Sequence, residues 1–125
     1  MQDSVFQAEG YSLMGAAFEV HKVLGGGMAE EIYQESLEME LFTRQVPFQT
    51  KPPVRITYKG TPIRKEYFPD LLVYSAMVVE LKAVSKLLPE HEAQILNYLR
   101  ITKFRVGYLI NFAPLDNVEW KRFVV

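Results

Sequence analysis

Met77-Val78-Val79-Glu80-Leu81-Lys82-Ala83 is the stretch from which the chain is best read. It is apolar at both ends, as a buried strand is, yet an acid and a base stand two residues apart inside it. Buried strands seldom carry charge unless that charge is paired, ligated or functional. Ten residues before Glu80 lies Pro69-Asp70, near the end of another strand-like run. Tyr74-Ser75-Ala76 between them reads as a short loop, so the two runs form a hairpin.

The register of that hairpin follows from the loop. If Val73 pairs with Met77, then Leu72 faces Val78, Leu71 faces Val79 and Asp70 faces Glu80. Directly opposed residues share a sheet face, with Cβ atoms about 4.5–5.5 Å apart. Two carboxylates that close repel unless a cation or a proton intervenes. Lys82 shares the face of Glu80, because side chains two apart on a strand are co-facial, and it stands roughly 7 Å further along.

The flanking chain supplies helices and more strands. Leu13, Met14, Ala17, Phe18, His21 and Leu24 recur at helical spacing over about residues 10–24, with Val20 off the stripe. Gly25-Gly26-Gly27 ends that helix and reads as a flexible turn. A second helix is expected over about residues 29–44, with Ile32, Tyr33, Leu37, Met39 and Leu41 on its apolar face. Glu30, Glu31 and Glu35 fall in its first turns, where the helix dipole favours acids. Glu30 and Tyr33 are three apart and share a face. Residues 54–58 alternate as a half-buried strand, Lys59-Gly60 is a turn, and a second strand spans about residues 63–73, broken near Pro69. Pro89 opens a third helix to about residue 102, proline being well suited to the first turn. Strands over residues 106–110 and 118–125 complete the order ααβββαββ. The first three strands imply an antiparallel meander. The third helix permits a crossover to a parallel strand, so the sheet is mixed and flanked by helices.

Composition bounds the function. The 125 residues suggest one domain, 1–125, of ordinary globular make-up: 49% hydrophobic and 23% charged. There is no cysteine, hence no disulfide, thiolate site or cysteine nucleophile. His21 and His91 are 70 residues apart without partner cysteines, which argues against zinc. The first four residues lack a basic region and an apolar signal core, and the longest apolar run, residues 71–79, is too short for a bilayer. A soluble cytoplasmic protein with no membrane partner is expected. Net charge is −1, against bulk electrostatic gripping of nucleic acid but not against a local basic groove.

Taken alone, Glu80-Leu81-Lys82 is more often a structural strand salt bridge than a site. Paired with Asp70 on a hairpin, it suits hydrolysis of a phosphodiester. Mg²⁺ takes one or two carboxylates plus water and substrate phosphate. A bound metal lowers the pKa of its water, and a lysine beside it can orient that water or stabilise developing charge. Gln94 and Tyr98, four apart on the third helix, share a face with His91 and could meet a phosphate or the attacking water. An isolated pair of this kind is more often core and surface.

Together these residues resemble a known family. Pro69-Asp70 followed by Glu80-Leu81-Lys82 is similar to the signature of the PD-(D/E)XK nuclease superfamily, and Gln94-Ile95-Leu96-Asn97-Tyr98 to its QxxxY element. Gly27-Met28-Ala29-Glu30-Glu31-Ile32-Tyr33 resembles the motif of the small GxxExxY proteins. Similarity continues through Val20-His21-Lys22, Tyr58-Lys59-Gly60, Glu92-Ala93-Gln94 and Leu109-Ile110-Asn111-Phe112, over roughly residues 10–125. Gly26 departs from the pattern, which has proline in the Leu-Gly-x-Gly turn.

The resemblance implies a restriction-endonuclease-like α/β core with a central mixed sheet. It implies Asp70 and Glu80 as ligands of Mg²⁺, with Mn²⁺ as a substitute, and the Leu81 carbonyl as a third ligand. Lys82 would handle the nucleophilic water, and Glu30 would reach the site directly or through water. Gln94 and Tyr98 would position the third helix and DNA, and His21 sits where related nucleases can place a site histidine. The implied activity is metal-dependent cleavage of nucleic acid, DNA foremost. The competing reading is a non-cleaving nucleic-acid or protein-binding module on the same fold. A chain this short, with charge near zero, would gain DNA-binding surface as a homodimer.

Overall fold

The structure, a computed structural model, describes residues 5–125. The leader reading of residues 1–4 lies outside them. Two helices come first, α1 (Gln7–Leu24) and α2 (Glu30–Thr43). Three short strands follow: β1 (Phe48–Thr50), β2 (Thr57–Tyr58) and β3 (Thr61–Pro62). Then come β4 (Leu71–Val73), β5 (Met77–Lys82), α3 (Pro89–Thr102), β6 (Val106–Asn111) and β7 (Glu119–Val124). The main sheet has five strands in the order β1-β4-β5-β6-β7; β2 and β3 form a separate two-stranded hairpin. Only β5 and β6 run parallel, joined through α3, and the other neighbours are antiparallel. The sheet is therefore mixed, as anticipated.

The hairpin register is the expected one: Leu71 pairs with Val79, Leu72 with Val78 and Val73 with Met77. The meander differs. The neighbour of β4 is β1, not residues 54–58, and the element order is ααβββββαββ rather than ααβββαββ. Only three residues long between Pro47 and Pro52-Pro53, β1 is too short to show alternation in sequence. The 54–58 run does pair antiparallel with the run after it, through the isolated Val54–Tyr67 bridge and the Thr57–Pro62 and Tyr58–Thr61 pairs of β2 and β3, but outside the five-stranded sheet. Pro69 breaks the predicted 63–73 strand, because it has no amide to give the ladder.

Alternation along the central strands sorts the core into two layers. Leu71, Val73, Met77, Val79, Leu81, Val106, Tyr108 and Ile110 face α1 and α2, where they meet Leu13, Met14, Tyr33, Leu37 and Leu41. On the opposite face Leu72, Val78 and Leu109 pack with Leu99 and Ile95 of α3. Each fully buried aliphatic chain contributes about 1.5–3 kcal/mol of transfer free energy. Gly107 lets α3 lie close on β6: a Cβ there would meet Leu99 and Ile95 at 3.0 and 3.1 Å. The helix stripes also shift from the sequence reading. Val20 is buried whereas Phe18 is exposed, and Ile32 and Met39 face outward. Among the described residues no helix is long and apolar enough to cross a membrane.

Candidate active site at the ends of β4 and β5

Glu80 and Lys82 lie on the α3 side of β5, the face of Val78, and both are half-buried. Asp70 immediately precedes β4, and its Oδ2 accepts the Leu81 amide at 2.7 Å. A side chain thus replaces the backbone partner where the β4–β5 ladder runs out. The next carbonyl, that of Lys82, accepts the Phe112 amide at 3.0 Å on the β6 side. Because the amide and carbonyl of one strand residue point the same way and neighbours alternate, the Leu81 carbonyl is aimed to the Asp70 side. Asp70 is itself held from α2, since Gln34 Nε2 donates to its carbonyl at 3.0 Å.

Glu80 is held from the other layer. The Tyr67 hydroxyl donates to Glu80 Oε1 at 2.6 Å, and the Tyr67 ring stacks on Tyr98 at 3.7 Å with 7° between planes. Burial raises the Glu80 pKa to about 7, and the neighbouring Asp70 charge adds to the rise; the Tyr67 bond, the Asp70 amide and Lys82 oppose it. Burial also raises Asp70, against the Leu81 amide bond, Lys51 and Lys82. Glu30, in the first turn of α2, is raised by burial and then by Asp70, and lowered by Lys82 and Lys51. Burial, followed by the Glu80 charge, raises Tyr67 far above the ordinary tyrosine range, so it remains a proton donor.

These shifts describe carboxylates raised first by burial and, for Glu80 and Glu30, further by the Asp70 charge. Among the described residues Lys82 forms no ion pair with either carboxylate; the ion pairs are Arg44–Glu40 and Lys121–Glu92. A divalent cation would offset the burial and the Asp70 charge that together favour a proton on Glu80. Among the described residues no three acidic, histidine or cysteine side chains are grouped to hold a metal. The donor set is thus two carboxylates and a carbonyl, which suits a hard cation that retains several waters.

A family model for the PD-(D/E)XK nuclease superfamily matches residues 7–123. The chain belongs to that superfamily. Among solved structures, the crystal structure of SSO0001 superposes with a TM-score of 0.55 at 22% identity, covering 75% of this chain and 48% of that one. The chain thus spans about half the length of that protein, and the likeness is one of fold. An alkaline exonuclease (LHK-Exo) from Laribacter hongkongensis aligns with a TM-score of 0.48 at 13% identity, over 86% of this chain and 75% of its own. No curated protein matches.

In this superfamily member Asp70, Glu80, Leu81, Lys82 and Glu30 come together at one rim of the sheet, with Tyr98 one ring removed from Glu80. Gln94 is exposed on α3, one turn before Tyr98. His91 caps that helix, its Nδ1 accepting the Leu88 amide at 3.0 Å. His21 is buried and donates through Nε2 to the Pro114 carbonyl at 2.7 Å. The same loop explains Gly26: a Cβ there would lie 2.4 Å from the Ala113 and Pro114 carbonyl oxygens. Tyr33 is wholly buried, stacked on Phe112; its hydroxyl donates to the Gly25 carbonyl at 2.6 Å and accepts the Met28 amide at 3.1 Å. It pins the loop that delivers Glu30.

Sequence reasoning missed Tyr67, Lys51, Gln34 and the role of Asn111. Tyr67 stands three residues before Asp70, but Pro69 resets the alternation that would have placed it. Asn111 is fully buried beside Lys82 in the β5–β6 register. Its amide nitrogen donates to the Val84 carbonyl and to Glu119, and its oxygen accepts the Val84 and Ala113 amides. Glu119 in turn accepts the Leu87 amide. This network fixes the segment between β5 and α3.

Proposed function

We propose that this chain, as one nuclease-like domain over residues 1–125, is a Mg²⁺-dependent nuclease of the GxxExxY type that hydrolyses phosphodiester bonds of nucleic acid, DNA foremost. The observation that carries the reading is the neighbouring pair Asp70 and Glu80, half-buried, with the Asp70 charge acting on Glu80 and without an ion pair among the described residues, and with Lys82 on the Glu80 face. Asp70, Glu80 and the Leu81 carbonyl would hold the cation, with Mn²⁺ as a substitute. When bound, the cation lowers the pKa of its water and neutralises charge on the phosphoryl oxygens. Lys82 orients the attacking water or takes its proton, and its ammonium stabilises charge on the phosphate. Glu30 reaches the same space from α2, directly or through water. Tyr98 fixes Tyr67 and through it Glu80, while exposed Gln94 offers an amide to the nucleic acid. A cytoplasmic location and a homodimer belong to this reading.

One observation favours the alternative, a non-cleaving nucleic-acid or protein-binding module on the same fold: Glu30 feels the Asp70 charge, yet among the described residues no three acidic, histidine or cysteine side chains are grouped to hold a metal. Lys82→Ala and Asp70→Ala decide between them. Both should abolish Mg²⁺-dependent DNA hydrolysis while the variants remain folded by circular dichroism. Undiminished hydrolysis in both would falsify the cleavage reading. Calorimetry with Mg²⁺ adds a second readout: no binding by the wild type, and no loss of binding in Glu80→Ala, favours the module.

A further inference from the structure

The near-zero net charge conceals a strong internal polarity. Over residues 51–65 the chain carries five basic residues, Lys51, Arg55, Lys59, Arg64 and Lys65, and no acid. Over α2 it carries five acids and no base. Apart from Lys51, which precedes the root and lies against the acids of α2, this basic segment is the β2–β3 hairpin with its two stems. Val54 and Tyr67 exchange both backbone bonds at its root, at 2.7 and 2.9 Å, and the Ile63 amide bonds the Ile56 carbonyl at 2.9 Å above it. At the tip Lys59 and Gly60 both take positive φ, 49° and 81°, as a tight two-residue hairpin turn requires.

The root places this hairpin beside the site. Val54, Ile56 and Tyr67 pack with Leu72, Val78, Leu99 and Tyr98, on the α3 face of the sheet that also bears Glu80 and Lys82. Tyr67 is both the last residue of the root bridge and the donor to Glu80. Beyond the root the hairpin is exposed. Arg55, Lys59, Arg64 and Lys65 all face solvent, as do Tyr58 near the tip and Phe68 just outside the root, which are 67% and 52% exposed. One Arg55 nitrogen donates to the Ile63 carbonyl at 3.1 Å, which steadies the guanidinium on the hairpin. Lys59 Nζ stands 5.5 Å from the centre of the Tyr58 ring.

We propose that this hairpin is a nucleic-acid-gripping arm: its basic side chains hold backbone phosphates, and Tyr58 and Phe68 offer faces to sugar or base, next to the Asp70–Glu80 site. The choice of nucleic acid as partner rests on the reading of that site. Clustered Lys and Arg on backbone phosphates supply most of the sequence-independent affinity for nucleic acid, and exposed aromatic faces stack bases without regard to sequence. Concentrating the positive charge on one arm resolves how a chain of net charge −1 can hold a polyanion, with the apolar face of α2 packed on the other layer of the sheet and its Glu30 coupled to the site.

The test is fluorescence anisotropy of the full chain with a labelled DNA duplex and with one of its single strands, in EDTA so that nothing is cleaved. The triple variant Lys59→Ala, Arg64→Ala, Lys65→Ala should bind roughly tenfold weaker or worse, and the slope of log affinity against log salt should flatten by about 2–3. Lys22→Ala, on α1, should bind as wild type does. Arm-dependent binding of either form supports the arm. Equal affinity and equal salt slope in wild type and triple variant overturn it, as does a wild type that binds neither form. Salt-sensitive self-association lost in the triple variant, with no DNA binding, would assign the arm to the acidic α2 of a second copy and also overturn it. Arm-dependent binding with no Mg²⁺-dependent hydrolysis sinks the cleavage reading and leaves the arm standing. Hydrolysis with arm-independent binding does the reverse.

Discussion

Tyr67 donates its hydroxyl proton to Glu80 Oε1 across 2.6 Å. The bond favours the ionised carboxylate and works against the burial and the Asp70 charge that raise the Glu80 pKa to about 7. Tyr67→Phe should therefore push that pKa higher still. Mg²⁺ binding measured by calorimetry at pH 7 should weaken and recover at higher pH. The bond's loss should cost about 1–2 kcal/mol of folding free energy at pH 8, by urea denaturation. An unchanged pH midpoint for metal binding would remove Tyr67 from the site.

Tyr98 acts on Glu80 only through Tyr67, by a ring stack at 3.7 Å. Tyr98→Phe keeps the ring and should leave stability within about 0.5 kcal/mol, whereas Tyr98→Ala should lose about 1–2 kcal/mol from stacking and packing. The alanine variant should also move the pH midpoint of Mg²⁺ binding in the same direction as Tyr67→Phe. A stability loss without that movement would reduce Tyr98 to core packing.

Glu80 holds its proton more tightly in the folded than in the unfolded chain, with a pKa of about 7 against a reference of 4.5, and Asp70 and Glu30 shift the same way. Without divalent cation their contribution to stability is fullest below the unfolded carboxylate range and is lost as pH rises through the folded values. For Glu80 that window runs from 4.5 to about 7. The melting temperature of wild type minus that of Glu80→Gln should fall across it in EDTA. Mg²⁺ competes with protons for the same oxygens, so it should raise the wild-type melting temperature more at pH 7.5 than at pH 5. A Mg²⁺ effect independent of pH would contradict this assignment.

Asn111 satisfies both backbone groups of Val84 and bonds Glu119, all out of reach of solvent on its own side chain. Asn111→Ala strands these partly buried groups, and an unsatisfied polar group costs up to about 1–3 kcal/mol when shut off from water. We expect a loss of about 2–4 kcal/mol in urea denaturation and faster hydrogen exchange at the Val84 amide. Slow exchange retained in the variant would show that the segment before α3 is held by other contacts.

The strand 77–82, its hairpin partner and the loop between them were readable in sequence, because two apolar runs joined by a three-residue loop pair in the register that the loop sets. The start of α3 followed from Pro89. The first strand of the main sheet was not readable: Phe48–Thr50 is too short to show a period. Nor was the exit of residues 54–65 as a separate hairpin, since an alternating run looks the same in a sheet and on an arm.

The candidate site divides along the same line. Asp70, Glu80, Leu81 and Lys82 are neighbours on one local hairpin, so their juxtaposition follows from loop length and strand periodicity. Tyr67 beneath Glu80, Tyr98 on Tyr67, Gln34 on Asp70, and Glu30 carried in by the Tyr33-pinned loop depend on how layers far apart in sequence close over the sheet. The chain by itself determined which charges share a strand face. Only the tertiary structure decided how dry that face is and what opposes those charges, because desolvation and side-chain bonding arise from packing between layers and have no signature in local spacing.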